Sequence, residues 1–226
     1  MKTANEVEYD FLAAAKRISD TVKRTPLEYN AGLSEKYNAR IYLKREDLQV
    51  VRSYKLRGAY NMISTLNEQQ RASGVVCASA GNHAQGVAYS CKKLNIKGVI
   101  FMPEITPKQK VKQTEMFGNG NIRIVLVGDT FDDCMKEAIL YTKAHQMTFI
   151  PPFDNAKIIE GQGTVGVEIF EDLPDIDMVL MPIGGGGLAS GVGSYLRSVK
   201  PSIQLIGVEP LGAPSMKQAL SHGGPV

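Results

Sequence analysis

Cysteine and histidine are scarce, with three of each among 226 residues. Cys77, Cys91 and Cys134 are odd in number and lack C-x-x-C spacing. A disulfide framework is therefore not expected, and the three read as buried or free thiols in a reducing compartment. No two histidines are spaced as a metal-binding pair, which argues against zinc. Long apolar runs are missing too. The longest, such as GVIFMP and DMVLMPI, are far shorter than a membrane span. The first residues, MKTANEVEYDFLAAAKRISD, carry early acids and no apolar core, so no signal peptide is expected. Neither sign of charge dominates. A net charge of +3 is too small to imply a nucleic-acid or anionic-membrane partner. Internal repeats, charge runs and low-complexity segments are absent. What remains is an ordinary globular composition, 43% hydrophobic and 22% charged. The length suits one large domain or two small ones.

Short apolar runs alternate with helical patterns. The expected strands are RIYLKRE, GVVCAS, GVIFMP, IRIVLVG, MTFIPP, MVLMPI and IQLIGVEP. They are nearly continuous in hydrophobicity, as parallel strands buried on both faces should be. Between them, Thr106-Pro107-Lys108-Gln109 offers an N-cap, a first-turn proline and a capping-box glutamine. Thr130 with Asp132 and Asp133 opens a further helix, in which Phe131, Cys134, Ala138 and Tyr141 recur at helical spacing. This alternation predicts an α/β fold with open parallel sheets and helices on both faces.

One stretch breaks the pattern. In FIPPFDNAKIIEGQGTVG, Phe149 to Gly166, two prolines end a strand and the glycines make a poor helix interior by propensity. It reads as a crossing between two lobes, where ligands of open α/β sheets often bind. The chain stops at SHGGPV, one βα unit after the second lobe's two clear strands. Either a very small lobe or an incomplete chain is expected.

Three motifs carry chemistry. Four glycines follow an apolar run in MPIGGGGLASGV. Gly184, Gly186 and Ala189 satisfy the dinucleotide pattern G-x-G-x-x-G/A, and Glu209 stands about 20 residues on, where a ribose-binding acid belongs. No GK[ST] follows, so this is not a P-loop. Its backbone N–H groups and helix end suit a phosphate. In VRSYKLRGAYN, Lys55 stands at an expected helix start with Ser53 as N-cap, beside Arg52 and Arg57. The positive helix end and the arginines would lower its pKa, as Schiff-base chemistry requires. In CASAGNHAQGVAYS, a strand end at Ser79 and a helix start near Asn82 form a second anion cradle, sized for a carboxylate. An amine, a carboxylate cradle and a phosphate cradle fit a pyridoxal-phosphate enzyme acting on an amino acid. Hydride transfer leaves Lys55 and the SAGNH loop unused, and Glu209 then reads as an ordinary strand-end residue.

At these residues the chain resembles the pyridoxal-phosphate-dependent serine/threonine dehydratases. VRSYKLRGAYN resembles their cofactor-attachment motif, SAGNHAQGVA their substrate loop and GGGGL their phosphate loop; YLKREDLQ also matches. The likeness runs over nearly the whole chain and is closest to the threonine-specific branch. Cysteine and threonine synthases differ around the lysine. The resemblance implies two open parallel-sheet lobes of the tryptophan-synthase-beta-like type (fold type II). Residues 48–150 would form the small lobe, and 1–47 with 151–226 part of the large one. It implies Lys55 as the cofactor-bearing lysine and general base, with Tyr54 beside the ring where the family more often has phenylalanine. Asn82 would meet the ring's 3-oxygen. Ser79, Gly81, Asn82 and His83 would surround the substrate carboxylate, and Gly184, Gly185, Gly186, Gly187 and Leu188 would bind the phosphate. The implied reaction is deamination of L-threonine to 2-oxobutanoate on the way to isoleucine, in a cytoplasmic homo-oligomer without membrane or nucleic-acid partners. Serine dehydration and serine racemisation are the near alternatives, and a Rossmann oxidoreductase the distant one. The family continues past this chain's last residue and places a serine or cysteine beside the pyridine nitrogen. Nothing here matches that group, so the chain alone is expected to bind cofactor weakly and turn over poorly.

Overall fold

The computed structural model describes residues 8–224. Eight strands occur among them: β1 Leu27–Tyr29, β2 Tyr42–Lys44, β3 Val75–Ala78, β4 Gly98–Met102, β5 Ile122–Leu126, β6 Thr148–Phe149, β7 Met178–Pro182 and β8 Gln204–Val208. The helices are α1 Phe11–Ile18, α2 Ala31–Tyr37, α3 Lys55–Ser64, α4 Glu68–Ser73, α5 Asn82–Leu94, α6 Lys108–Gly118, α7 Phe131–Ala144, α8 Ala156–Asp172, α9 Gly187–Val199 and α10 Ser215–His222. A 3-10 turn spans Glu46–Leu48.

The central sheet is parallel, in the order β5-β4-β3-β6. Strand alternation divides its apolar side chains between two cores. Val75, Cys77, Ile100 and Met102 face α3 and α5, where Ala59, Ile63, Val87 and Cys91 complete a buried cluster. Val76, Ala78, Val99 and Phe101 face α7, meeting Cys134 and Ala138. Every residue of β3 and β4 is buried, which is why both read as unbroken apolar runs. Thr130 opens α7, as its sequence predicts, and caps it in a reciprocal capping box with Asp133.

The second parallel pair, β7-β8, is covered on one face by α8 and α9 through Val165, Ile169, Val179, Met181, Val192 and Leu196. Its other face departs from the expected double burial. Among the described residues Met178, Leu180, Ile206 and Val208 lie exposed, Leu180 by 63%. A second departure is RIYLKRE. Its strand β2 pairs antiparallel with β1 and joins neither parallel sheet. β1 itself, LEY, is too short and polar to stand out as a strand. A third is α6, which starts at Lys108. Pro107 is extended (ψ 135°) and occupies the cap position, so the helix begins one residue late and the Thr106 hydroxyl has no partner among the described residues.

The largest departure is α8. The glycines of Phe149–Gly166 lie inside a 17-residue helix. Propensity disfavours them, and packing overrides it. A Cβ on Gly161 would stand 2.5 Å from the Arg57 carbonyl oxygen and 2.6 Å from Gly58 Cα, so α8 touches α3 backbone to backbone. On α9, a Cβ on Gly191 would lie 2.3 Å from the Ile159 carbonyl oxygen. The Phe11 ring of α1 fills the place of a Gly163 side chain, and the Asp10 N–H donates to Glu160 Oε1 at 3.4 Å. Gly161→Ala is thus expected to destabilise the protein. Alanine gains about 1 kcal/mol of helix propensity, but overpacking against rigid backbone costs about 1–3 kcal/mol, with this contact at the upper end. A lower urea midpoint at unchanged slope would register it, and a raised midpoint would refute the close packing as the reason for glycine.

The lobe boundaries expected from sequence include positions 1–7 and 225–226, which lie outside the described residues. The four-stranded sheet lies wholly within residues 75–149.

Candidate active site

The start of α3 presents Lys55. Tyr54 takes the cap position, and the Lys55 N–H donates to Ser53 Oγ at 3.2 Å, so the helix begins one residue later than a Ser53 N-cap implies. The lysine is half-buried. Its Nζ donates to the Pro152 carbonyl at 2.6 Å and lies 5.6 Å from the Tyr54 ring centroid. Burial alone pushes this amine below the ordinary lysine range. The arginines are not the cause expected from sequence. Arg52 is exposed, and the Arg57 charge is neutralised where it sits.

Arg57 is fully buried between two carboxylates. Its Nε and Nη2 donate to Glu46 at 2.8 and 2.7 Å, and Nη1 and Nη2 donate to Glu168 at 2.7 and 2.9 Å. Lys44 Nζ stands 2.6 Å from Glu168, and Thr164 accepts from Arg57 at 3.1 Å. Two cations and two anions balance. This cluster ties β2, the 3-10 turn and α8 to the first turn of α3, next to Lys55.

The glycine loop leaves β7 and opens α9. Gly186 caps the helix at φ 84°, a left-handed conformation that glycine adopts without strain. The Phe153 ring lies where a Gly185 side chain would go, and the Phe153 backbone and Cβ crowd the Cβ position of Gly187. Gly184 differs. A Cβ there would meet nothing within 4 Å, so its missing side chain leaves open space. Lys55, Tyr54, Gly184, Gly185, Gly186, Gly187 and Leu188 line one cleft, with Phe153 and Pro182 added. Lys55 and the Gly184–Leu188 loop, far apart in the chain, are thereby brought to one cleft.

The Ser79–His83 loop stands beside Lys55 through α5. A Cβ on Gly86 would lie 3.2 Å from the Lys55 carbonyl, so α5 packs on the start of α3. Ser79 Oγ accepts from the Gly81 N–H at 3.2 Å, Gly81 precedes α5 with open space at its Cβ position, and Asn82 is exposed at the helix start. The free N–H groups of this first turn suit an anion. His83 is turned inward. Its Nε2–H donates to the Ile150 carbonyl at 2.9 Å, and Nδ1 has no partner among the described residues. Burial pushes its pKa down to about 4; the carbonyl bond opposes this and the Lys55 charge adds to it. The ring's one proton is thus committed, leaving the His83 backbone N–H for any bound carboxylate. Ser79, Gly81, Asn82 and His83 are not among the residues lining the cleft.

Sequence reasoning missed Pro152 and Phe153, whose only signal was the double proline after a strand, and Pro182, which ends β7 just before the glycine loop. It also misjudged Glu209. Glu209 is neither a ribose ligand nor an idle strand end: its carboxylate accepts from the Met216 and Lys217 N–H groups at 2.8 and 3.0 Å and caps α10. The Met216 methyl in turn lies 2.9 Å from the Cβ position of Gly186. The three cysteines are buried and unbonded, with burial pushing the Cys91 thiol up to about 12 and the Cys134 thiol to about 11. Among the described residues no His/Cys/Asp/Glu group could hold a metal, and no helix is long and apolar enough to cross a membrane.

The cleft fits pyridoxal phosphate. It offers a desolvated amine, aromatic rings at Tyr54 and Phe153, and glycine N–H groups at a helix N-terminus beside open space. A family model described as pyridoxal-phosphate dependent enzyme matches residues 18–226. The biosynthetic L-threonine dehydratase IlvA of Halalkalibacterium halodurans is 55% identical over 215 residues, covering 95% of this chain and 52% of that protein. The processed form of threonine deaminase isoform 2 from Solanum lycopersicum aligns with TM-score 0.90 at 43% identity, over 96% of this chain and 63% of that one. Maize serine racemase aligns with TM-score 0.91 at 31% identity, over 96% and 65%. The chain spans about half the length of the curated relatives it matches.

Proposed function

Because the chain belongs to the pyridoxal-phosphate-dependent enzyme family, we propose that the protein deaminates L-threonine, giving 2-oxobutanoate and ammonia. Water is lost from the β-carbon and regained on hydrolysis. The single observation that carries this reading is the meeting of the Lys55 amine and the Gly184–Leu188 loop in one cleft. The identity to threonine dehydratases, higher than that to serine racemases, favours threonine.

When bound, the cofactor supplies an electron sink for the charge left at the substrate's Cα. Lys55 is the residue that would hold it, and its amine would take the Cα proton. Burial lowers the Lys55 pKa below the ordinary lysine range, which favours the neutral amine that can accept a proton. The N–H groups of Gly184, Gly185, Gly186, Gly187 and Leu188 would bind the phosphate, and the dipole of α9 would add to their attraction. Tyr54 would pack beside the ring and Asn82 would hydrogen-bond its 3-oxygen. Ser79, Gly81, Asn82 and the His83 N–H orient the substrate carboxylate. In this reading residues 48–150 form a small lobe, and 1–47 with 151–226 belong to a large one. The product feeds isoleucine synthesis, and the enzyme works as a cytoplasmic homo-oligomer.

The test is a comparison of substrates on the natural full-length protein. L-Threonine should yield 2-oxo acid and ammonia in equal amounts. The extra methyl should favour it over L-serine about tenfold or more in kcat/KM. Interconversion of L- and D-serine without 2-oxo acid would instead establish a racemase.

A further inference from the structure

The segment Ile150–Phe153 leads to the cleft, which Phe153 lines, and its first three residues act through their backbone. The Ile150 N–H donates to the Val76 carbonyl at 2.8 Å and so continues the β3–β6 pairing beyond Phe149. Pro151 and Pro152 follow. Their rings fix φ and they carry no N–H, so they form a stiff strap whose polar handles are carbonyl oxygens. The carbonyls flanking this strap are both engaged. Ile150 O accepts from His83 Nε2 at 2.9 Å, and Pro152 O accepts from Lys55 Nζ at 2.6 Å. Phe153 then seats on Gly185 and Gly187 of the phosphate loop.

His83 is a costly choice for a merely structural site. It is 4% exposed, and its Nδ1 has no partner among the described residues. A leucine of similar bulk would leave no orphaned nitrogen, so packing alone does not call for an imidazole. The ring has two features that a core hydrophobe lacks. It places a donor on the Ile150 carbonyl with only two rotatable bonds, and it does so without bringing a second cation beside Lys55.

We propose that His83 is a positioning residue: by holding the Ile150 carbonyl it fixes the Pro151–Pro152 strap, and through the Pro152 carbonyl it sets where the Lys55 amine rests relative to the glycine loop. This inference rests on Lys55 being the cofactor-bearing lysine. It concerns how the amine is presented, not how tightly the phosphate is held.

The experiment uses the full-length protein stripped of cofactor, with His83→Leu, His83→Gln and Pro151→Gly variants. One readout is the rate at which pyridoxal 5′-phosphate is captured on Lys55, fixed by borohydride and located by peptide mass. The other is equilibrium affinity for pyridoxine 5′-phosphate, which has the ring and phosphate but no aldehyde. His83→Leu should slow capture by about tenfold or more, the penalty of a misplaced reacting group, and leave pyridoxine phosphate affinity unchanged. Glutamine, whose Nε2 can reach the same carbonyl, should restore capture. Pro151→Gly should slow capture with His83 intact, and add little to His83→Leu. Native capture rates in His83→Leu would overturn the proposal. So would a parallel loss of both readouts, or no rescue by glutamine, since either marks a residue that only supports the fold. If His83→Leu does not fold, unchanged capture in Pro151→Gly overturns it alone. Failure of the native protein to be captured at Lys55 would instead sink the functional reading beneath it, a distinct result.

Discussion

Lys55→Ala is expected to abolish covalent attachment of pyridoxal phosphate and to lower turnover at least about 10³-fold, within the range that a positioned acid–base group contributes. Lys55 supplies the one amine among the cleft-lining residues, so no neighbour can replace it. The fold should survive. The side chain is half-buried at a helix start and makes one hydrogen bond, to the Pro152 carbonyl, worth about 1.5–3 kcal/mol for a charged donor. Removing a desolvated ammonium offsets part of that. Borohydride treatment followed by intact mass should add one cofactor to the native protein and none to the variant, with thermal midpoints within a few degrees. Lys55→Arg should be equally inactive, because a guanidinium does not give up its proton in this range. A variant that is still labelled, at another lysine, would remove Lys55 from its role.

Arg57→Leu is expected to cost about 3–5 kcal/mol of folding stability, the usual penalty for breaking a buried ion pair from one side. Against a total of about 5–15 kcal/mol, this could leave the protein largely unfolded at ambient temperature. The reason lies in what remains. Glu46 and Glu168 would face each other across the vacated space, with Lys44 the one cation left to neutralise them. Burial pushes the Glu46 carboxyl up, but Arg57, with Thr25 and Lys44, more than reverses this and holds it below the ordinary value. In the native protein Glu46 therefore adds stability above its unfolded pKa, and this is lost as pH falls through its folded pKa. Without Arg57 the burial effect is less opposed, the folded pKa rises, and the penalty grows with pH. The variant should lag native least near pH 4 and most at neutrality. Urea titrations at several pH values would read this directly. Combining Arg57→Leu with Glu46→Gln and Glu168→Gln should recover much of the loss, and a triple variant no more stable than Arg57→Leu would show that shape, not charge, governs the site.

What the chain reveals unaided follows from range. GVVCAS and GVIFMP are buried on both faces, so their hydrophobicity is visible residue by residue, and the parallel sheet could be read from them. Lys55 and the GGGG loop each carry their chemistry within a few residues, so their meeting in one cleft was foreseeable, whereas the SAGNH loop, equally legible, does not line that cleft. Features set by distant partners were not. The glycines of α8 read as breakers because nothing nearby tells that α3 and α9 approach within backbone contact. Arg57 read as a charge acting on Lys55, because Glu168 lies 111 positions away. Glu209 had two local readings, and the α10 N-terminus that it caps supports neither. Phe153 and Pro152 carry no motif at all, since one acts through packing on glycines and the other through a carbonyl that every residue possesses.

The seating of α1 against α8 has a consequence in time. Phe11 finds its place over Gly163, and Asp10 meets Glu160 150 positions later. At roughly 5–20 residues per second, a ribosome takes about 8–30 s to make the partner. The segment 75–149 contains all four strands of its own sheet and can condense in the interval. The first helix can settle Ile18 early against Val51 and Leu56, but Phe11 must wait until a part of the chain made long afterwards arrives to receive it.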